Sequence, residues 1–217
     1  MFPKSTLIIS AVAVILFGLF AFSPTASAYQ IGVSPNMLSL RSGLVGYWTF
    51  DGKDMLNGVA LDKSGNFATG TPVNIATSTF YAPGKIGQGL KFDGVDDSVN
   101  VSNTISTRSI SFWVKPATDS ASMVNLTATA YITASAGSIT ATGFTSPTVY
   151  VNGITGSTLT ANAWNHIIVT DTANTSANAI TLGKANSAFT AGIMDDVRVY
   201  NRALSANEVT QLYNVGR

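Results

Sequence analysis

The chain has 217 residues, and its 12 basic and 11 acidic side chains leave a formal net charge of +1. This near balance excludes the strongly basic surface that attracts nucleic acid or anionic lipid through charge alone. Cysteine is absent, which excludes disulfide bonds and a cysteine nucleophile, so the hydrophobic core must stabilise the fold.

The N-terminal segment has the pattern of a signal peptide, which we assign to residues 1–28. Lys4 precedes an apolar stretch at residues 7–22, and Ala26 to Ala28 supply the small residues that a signal peptidase requires. The stretch is shorter than the roughly 20 residues that span a bilayer. We expect cleavage near Ala28, a mature chain without a membrane span, and a secreted or cell-surface location. The alternative is an uncleaved anchor that tethers the same domain outside the membrane.

Residues 29–42 form a lead-in with little periodicity, and from residue 43 the pattern is β almost throughout. Alternating or branched apolar segments stop at Gly, Asn and Asp turn pairs, as strands do. The predicted strands are residues 44–50, 89–92, 109–115, 131–135, 138–142, 148–151, 166–170 and 197–200. Asn152-Gly153 is a strong hairpin signal because both residues tolerate positive φ. Many short strands with almost no helical periodicity predict a β-sandwich or a barrel.

One helix is predicted near the C-terminus, where SANE at residues 205–208 forms a capping box. The Ser205 hydroxyl can accept a hydrogen bond from the Glu208 N–H, and the Glu208 carboxylate can accept from the Ser205 N–H. Val209, Leu212 and Tyr213 then fall on one face, which we expect to pack against the sandwich. The helix should end by residues 214–216.

Five stretches together resemble, in chain order, the bacterial laminin G-like domains of the concanavalin A-like lectin/glucanase superfamily. They are GLVGYWTFDG, GKIGQGLKFDGVDDSV, SISFWVKP, AWNHIIVT and GIMDDVRVYNRALSANEVTQLY. The resemblance covers residues 43–213 of a domain that we assign to residues 43–217. It implies an all-β jelly-roll sandwich of two antiparallel sheets with one short C-terminal helix, used mostly for glycan binding, adhesion or packing against a neighbouring module. The YVNG hairpin precedes Trp164 here and commonly follows the tryptophan-histidine strand in the family, so ligand specificity does not carry over.

The acidic residues lack the pattern of the glucanases of this superfamily, which carry clustered glutamates on one strand. Glu208 is the single glutamate, and the capping box uses it. Asp195 and Asp196 are consecutive, so on a strand their side chains point to opposite faces, unlike the paired carboxyl groups of glycoside hydrolysis. His166, the single histidine, lies on an apolar segment without a nucleophile-elbow pattern. The sequence predicts a structural role for His166, no catalytic residues and no enzyme activity.

A structural calcium ion is the one cofactor that the sequence suggests, because calcium takes six to eight oxygen ligands and Asp-rich turns supply them. The predicted ligands are Asp51, Asp62, Asp195 and Asp196, with Asp93, Asp96 and Asp97 of the DGVDD turn as further candidates. The alternative is that these carboxylates only accept turn N–H groups. We expect separate roles for Asp195 and Asp196. One should accept turn N–H groups or join a calcium site, and the other should face solvent or pair with Arg198 or Arg202.

Aromatic side chains are candidates for sugar contact, since sugar rings stack on exposed aromatic rings. Trp48, Trp113 and Trp164 lie inside apolar segments, where we expect them in the core. The ligand-binding candidates, from loop-like segments, are Phe67, Tyr81, Phe144 and Phe189. Glycosylation sequons begin at Asn100, Asn125 and Asn174, and they matter only in a host that glycosylates secreted proteins.

These observations predict a secreted or surface-exposed, non-catalytic binding module with lectin-like glycan binding or adhesion, whose partner is a glycan or a cell-surface protein. The alternative is a structural cell-surface subunit that assembles through protein contacts at sheet edges or a sheet face, without a sugar ligand. An exposed aromatic beside converging Asp or Asn side chains on a concave face would favour the first. A broad apolar patch without such a groove would favour the second.

Overall fold

The computed structural model describes residues 39–76, 80–101, 105–177 and 179–217. The predicted signal peptide, and the predicted lead-in up to residue 38, lie outside the described residues. Within the described ranges, no helix has the length and apolar character needed to cross a membrane.

The described residues form eighteen strands and one α-helix. The strands are β1 Leu44–Trp48, β2 Met55–Leu56, β3 Val59–Ala60, β4 Gly70–Val73, β5 Tyr81–Pro83, β6 Gln88–Asp93, β7 Ser98–Val101, β8 Ile105–Pro116, β9 Ala121–Asn125, β10 Tyr131–Ser135, β11 Ser138–Thr142, β12 Thr148–Val151, β13 Ile154–Thr155, β14 Asn165–Ala177, β15 Ile180–Leu182, β16 Lys184–Ala185, β17 Ala188–Phe189 and β18 Ala191–Tyr200. A 3-10 turn at Gly52–Asp54 follows β1, and the helix, α1, is Ala206–Val215.

The strands form two large antiparallel sheets and a separate hairpin of β16 and β17. The first sheet has the order β13-β12-β14-β8-β18-β6-β5, with β1 paired to β18. The second has the order β11-β10-β9-β15-β7-β4-β3-β2. Neighbours in space are distant in sequence, as β8 beside β14 and β15 between β7 and β9 illustrate, which is typical of a jelly roll. The predicted fold class, an all-β jelly-roll sandwich with a short C-terminal helix, is confirmed.

The main core lies between the two sheets. Every second residue of β8 from Ile110 to Val114, namely Ile110, Phe112 and Val114, is completely buried in this core. Val99 of β7 and Leu182 of β15 belong to the same buried cluster and come from the second sheet. Burial of each such side chain stabilises the fold by about 1.5–3 kcal/mol relative to an exposed position. The residues between them on β8, Ser111 and Trp113, therefore point to the outer face of the first sheet.

Helix α1 covers part of the outer face of the first sheet. Its Val209 and Leu212 form a second buried cluster with Ile168 of β14 and Tyr200 of β18. Tyr213, on the same side of the helix, stacks on Trp113 of β8 with 5.8 Å between ring centroids. The first sheet is therefore buried on both faces along this strip.

The predicted capping box is present at the start of α1. Ser205 Oγ accepts a hydrogen bond from the Glu208 N–H, and the Glu208 carboxylate accepts from the Ser205 N–H at 2.9 Å. Arg202 donates two further bonds to this carboxylate, at 2.6 and 2.9 Å. Bonding to Arg202 lowers the pKa of Glu208 to about 2. The one glutamate of the chain is thus fully engaged in fixing the helix start.

Trp164 departs from the prediction, which placed all three tryptophans inside core strands. Trp48 and Trp113 are buried, but Trp164 is half-buried and precedes β14. Asn165 explains the difference, because its Nδ2 donates to the carbonyls of Thr160 and Ala163 at 2.8 Å each. These bonds close a turn over residues 160–165, so the strand begins one residue after the tryptophan.

Candidate functional site

The outer face of the second sheet presents three polar side chains on adjacent strands. Asn100 of β7 lies directly opposite Thr181 of β15, which lies directly opposite Asn125 of β9. Residues directly opposite each other share a face of the sheet, so these side chains stand side by side. Val99 and Val124, their neighbours along the strands, are completely buried in the core. We call Asn100, Thr181 and Asn125 the polar row.

The side chains of the polar row form no hydrogen bond with any other described residue. Two asparagines in or beside the first sheet differ, since Asn165 Nδ2 donates to turn carbonyls and Asn152 Oδ1 accepts a bond from the His166 N–H at 2.9 Å. An amide offers two donors and an acceptor, and a hydroxyl offers both functions. The polar row therefore presents donors and acceptors that a ligand can use without displacing bonds within the fold.

The hairpin of β16 and β17 stands beside the polar row and supplies an aromatic ring and a cation. Its turn residues, Asn186 and Ser187, have φ of +46° and +64°, which matches the type I′ geometry of two-residue hairpins. Lys184 and Phe189 are paired across the hairpin, and the Lys184 ammonium lies 4.8 Å from the centroid of the Phe189 ring. This cation–π contact holds the two side chains together at the edge of the site.

The polar row and the hairpin border an open depression of about 480 Å³. On another side, Asn74 donates a hydrogen bond to Asp96 at 3.0 Å. The lining residues are Val73, Asn74, Asp96, Ser98, Asn100, Asn125, Ala128, Thr181, Lys184, Asn186, Ser187 and Phe189. Amide, hydroxyl, ammonium and carboxylate groups around one aromatic ring suit a ligand with many hydroxyl groups, since each hydroxyl both donates and accepts.

Of the four aromatic residues predicted to bind a ligand, only Phe189 lines the depression. Phe67 is 87% exposed in the loop before β4 and has a φ of +59°. Tyr81 lies on β5, at an edge of the first sheet, with its ring packed edge-on against Phe80 at 4.9 Å. Phe144 packs against the main core. The structure therefore does not gather the four candidates into one site.

The turn between β6 and β7 places three carboxylates next to the depression. Oxygens of Asp93, Asp96 and Asp97 lie within 4.8 Å of one another, and no other such acidic group occurs among the described residues. The Val95 N–H holds the pKa of Asp93 below its usual range, and burial raises the pKa of Asp97. One oxygen of each carboxylate accepts an N–H group. Three oxygens remain for a cation, so carbonyl groups and water would complete the six to eight ligands of calcium.

Asp51 and Asp195 both hold the turn between β5 and β6. Asp195 Oδ2 accepts bonds from the N–H groups of Lys85 and Ile86, each at 2.8 Å, and Asp51 Oδ1 accepts from the Gln88 N–H at 2.8 Å. Asp195 is only 1% exposed, and burial raises its pKa to about 7. Its Oδ1 is buried and has no hydrogen-bond partner among the described residues. Both aspartates thus act as acceptors for turn N–H groups.

Asp62 and Asp196 accept hydrogen bonds elsewhere. Asp62 Oδ1 accepts from the N–H groups of Tyr47 and Ser64, at 2.9 and 2.8 Å. Asp196 has a φ of +52° in a bulge of β18 and pairs with Arg198 at 3.0 Å. Asp195 and Asp196 therefore have different partners, as the sequence predicts. The four predicted calcium ligands do not form one group among the described residues, and calcium binding stays a prediction.

His166 lies on the outer face of the first sheet, where its ring stacks on Trp113 at 4.7 Å. Its Nε2 is 2.9 Å from Ser111 Oγ, and burial lowers the pKa of His166 to about 3, so the ring is neutral. Ser111 is completely buried, and His166 Nδ1 has no partner among the described residues. This pair has neither the access to substrate nor the third group of a catalytic triad, in agreement with the predicted structural role.

Sequence patterns did not identify the polar row or Lys184 as parts of a site. Asn100 and Asn125 drew attention only as sequons. The available signal was the alternation in SVNV, residues 98–101, where an asparagine stands between two inward-pointing valines. Thr181 has no comparable signal, because it reaches the site through the pairing of β15 with the distant strands β7 and β9. Lys184 has none either, because the local pairing of β16 with β17 does not indicate which part of the sheet the hairpin lies beside.

Comparisons with known proteins place this geometry among solved β-sandwiches. No protein-family model matches the chain, and no curated protein matches it. Domain 4 of an extracellular arabinanase from Geobacillus stearothermophilus, solved with arabinotriose, is 22% identical, with a TM-score of 0.52 over 79% of this chain and 98% of that one. The ligand-binding domain of botulinum neurotoxin serotype D, solved with N-acetylneuraminic acid, is 12% identical, with a TM-score of 0.56 over 83% of this chain and 52% of that one.

A mutant sialidase from Trypanosoma rangeli is 11% identical, with a TM-score of 0.53 over 79% of this chain and 32% of that one. This chain therefore spans about half of the toxin chain and a third of the sialidase chain. At these identities the likeness shows the fold alone. That fold is a β-sandwich.

Proposed function

We propose that this protein is a non-catalytic glycan-binding module and that its binding site is the depression on the second sheet. The observation that supports this most directly is the polar row, whose three side chains have no hydrogen bond to another described residue. Beside it, the ring of Phe189 offers an apolar surface for a sugar ring. Amides and hydroxyls that can both donate and accept match the hydroxyl groups of a sugar.

The comparisons support the same function from the fold. Two of the similar structures are domains solved with a sugar ligand, arabinotriose in one and N-acetylneuraminic acid in the other. The first is domain 4 of an arabinanase, and the second is the ligand-binding domain of a neurotoxin. Since a fold hosts many functions, this likeness is only secondary support, and the polar row and Phe189 are the primary support for glycan binding.

We extend the proposal to family and location. The chain is a bacterial laminin G-like domain in which residues 1–28 are a signal peptide cleaved near Ala28, and the mature module is secreted or displayed at the cell surface. The five stretches quoted from the sequence support the family, and the pattern of Lys4, the apolar stretch and Ala26 to Ala28 supports the location. Edman sequencing of the secreted protein would give Tyr29 as the first residue if cleavage occurs after Ala28.

A glycan array followed by calorimetry tests the function. The purified domain should bind at least one glycan class, with arabino-oligosaccharides and sialylated glycans among the probes. Phe189→Ala and Asn125→Ala should each weaken binding about tenfold or more, which corresponds to about 1.4 kcal/mol. Phe67→Ala is the matched control, because Phe67 is also aromatic and far more exposed but does not line the depression.

The outcomes separate glycan binding from its alternative. A loss of affinity in Phe67→Ala rather than in Phe189→Ala would move the site away from the depression. Failure to bind any glycan, together with a stable complex with a surface protein, would favour a structural subunit.

We also propose that any structural calcium ion binds at the turn between β6 and β7, where Asp93, Asp96 and Asp97 approach one another within 4.8 Å. Asp96 lines the depression and accepts a bond from Asn74. An ion at this turn would fix the position of Asp96 and so couple calcium to the glycan site.

A further inference from the structure

The face of the sheet that carries the polar row continues beyond the depression. Asn125 of β9 lies directly opposite Tyr131 of β10, and Tyr131 lies directly opposite Thr142 of β11. Since directly opposed residues share a face, Tyr131 extends the polar row by one strand. Its chain neighbour Ile132 is completely buried in the core, whereas Tyr131 is half-buried. The phenol ring therefore belongs to the same outer face as the polar row.

Tyr131 lies next to two residues that line the depression. Asn125 and Ala128 both line the depression, and Ala128 belongs to the short loop between β9 and β10. Tyr131 begins β10 immediately after that loop and is paired with Asn125. The tyrosine side chain forms no hydrogen bond with a described residue. An aromatic ring with a free hydroxyl thus follows the polar row on its β10 side.

The length of this row exceeds one sugar. Neighbouring strands are about 4.8 Å apart, so three steps from Asn100 to Tyr131 span about 14 Å across the sheet. A single sugar ring in the depression cannot contact both ends. The amide, hydroxyl, amide and phenol groups follow one another along a line, which is the arrangement that a chain of linked sugars can contact unit by unit.

We propose that the site takes a linear oligosaccharide laid across the strands β7, β15, β9 and β10, and that Tyr131 forms a second contact point beyond the depression. This inference rests on the proposed glycan-binding function and adds the class of ligand, the direction of its chain and one residue. Aromatic rings supply large contact area at low conformational cost. The ring of Tyr131 therefore stabilises only ligands long enough to reach it.

The experiment is a length series on an array. The probes are ladders of one to six residues of α-1,5-arabino-, β-1,4-gluco-, β-1,4-xylo-, β-1,4-manno- and chito-oligosaccharides, with sialyllactose as a short sialylated comparison. For at least one ladder, affinity should rise about tenfold or more with chain length and then level off. Tyr131→Ala should remove this rise and leave the affinity for the shortest bound member unchanged, which also shows that the variant is folded. Tyr131→Phe should keep most of the rise, since the ring is retained.

Tyr81→Ala is the matched control, because Tyr81 is a partly exposed strand tyrosine of the other sheet. This variant should show the same dependence of affinity on oligosaccharide length as the wild type. Equal affinity for short and long members of every ladder, or a rise that persists in Tyr131→Ala, overturns the extended site while the glycan-binding function stands. Absence of binding to every probe, short or long, overturns both. An effect of Phe189→Ala on short members with no length dependence identifies a site for a single sugar.

Discussion

Replacing Asp195 by asparagine tests whether this buried carboxylate lowers stability near neutral pH. Asp195 is 1% exposed, accepts two turn N–H groups through Oδ2, and has no partner for Oδ1 among the described residues. Burial raises its pKa from 3.8 to about 7. The folded protein therefore binds a proton at this site over a pH range in which the unfolded chain has released it.

The sign follows from proton linkage. Because the folded pKa is raised, the contribution of Asp195 to stability is fully present below about pH 4 and is lost as the pH rises through about 7. At about 1.4 kcal/mol for each pKa unit, the loss over this window is about 4 kcal/mol. Asparagine has no proton to release, so the Asp195→Asn variant should lack this pH-dependent loss.

The amide introduces a second, constant effect. Its oxygen can accept the N–H groups of Lys85 and Ile86, but its NH₂ group then takes the place of the Asp195 Oδ1 atom, which has no described partner. A buried unpaired donor costs about 1–3 kcal/mol at every pH. The test is therefore how the difference in free energy of unfolding between variant and wild type changes with pH. The sign of that difference at a single pH is not informative.

Denaturant unfolding followed by tryptophan fluorescence, at several pH values from about 4 to about 8, gives the free energies of unfolding. The variant should gain about 4 kcal/mol relative to wild type across this range. Asp171→Asn is the control, because Asp171 is also buried and accepts the N–H groups of Thr145 and Ser146. Burial opposes the shift there, but the backbone bonds outweigh it and lower the pKa of Asp171 below 3.8. The contribution of that carboxylate is therefore complete above the unfolded pKa, and the difference between Asp171→Asn and wild type should stay constant from about pH 5 to about pH 8. A difference between Asp195→Asn and wild type that stays constant with pH would refute the reasoning.

Three further outcomes are expected. Ser205→Ala should lower the free energy of unfolding by about 0.5–2 kcal/mol, because it removes the helix N-cap. The control Asn207→Ala, on the exposed first turn of the helix, should be neutral or slightly stabilising. Equal melting temperatures for the two variants would contradict the role of the cap. If calcium binds at the turn between β6 and β7, saturating calcium should raise the melting temperature by mass action, and Asp96→Asn should abolish this rise. A rise in melting temperature that persists in Asp96→Asn would place the ion elsewhere. Incubation with β-glucans, xylans and pectins should release no reducing sugar above background, and release abolished by one Asp→Asn substitution would reveal an enzyme.

Elements fixed by adjacent residues could be predicted from the sequence. The hairpin at residues 131–142 was predicted with the bounds of β10 and β11, and the Asn152-Gly153 turn has positive φ at both residues. The capping box at Ser205 is present with both of its hydrogen bonds. In each case the determining contacts join residues at most a few positions apart, which is the range over which a sequence pattern carries information.

The candidate site could not be predicted because strand register creates it. Asn100, Asn125 and Thr181 are brought together by the insertion of β15 between β7 and β9. These strands have only three to five residues, several of them Ser, Thr or Asn, so their patterns are too short to predict pairing. The raised pKa of Asp195 has a similar origin, since the turn that covers it lies about 110 positions earlier in the chain.

The polar row has a consequence for how the protein is produced. Asn100 and Asn125 begin glycosylation sequons, and both line the depression. A eukaryotic secretory host that modifies either one would attach a branched sugar to the floor of the site itself. Such material would be occupied by its own glycan and could give a false negative on an array, even though it folds. Bacterial expression avoids this, and an Asn125→Gln variant made in both hosts separates the effect of the modification from the effect of losing the side chain.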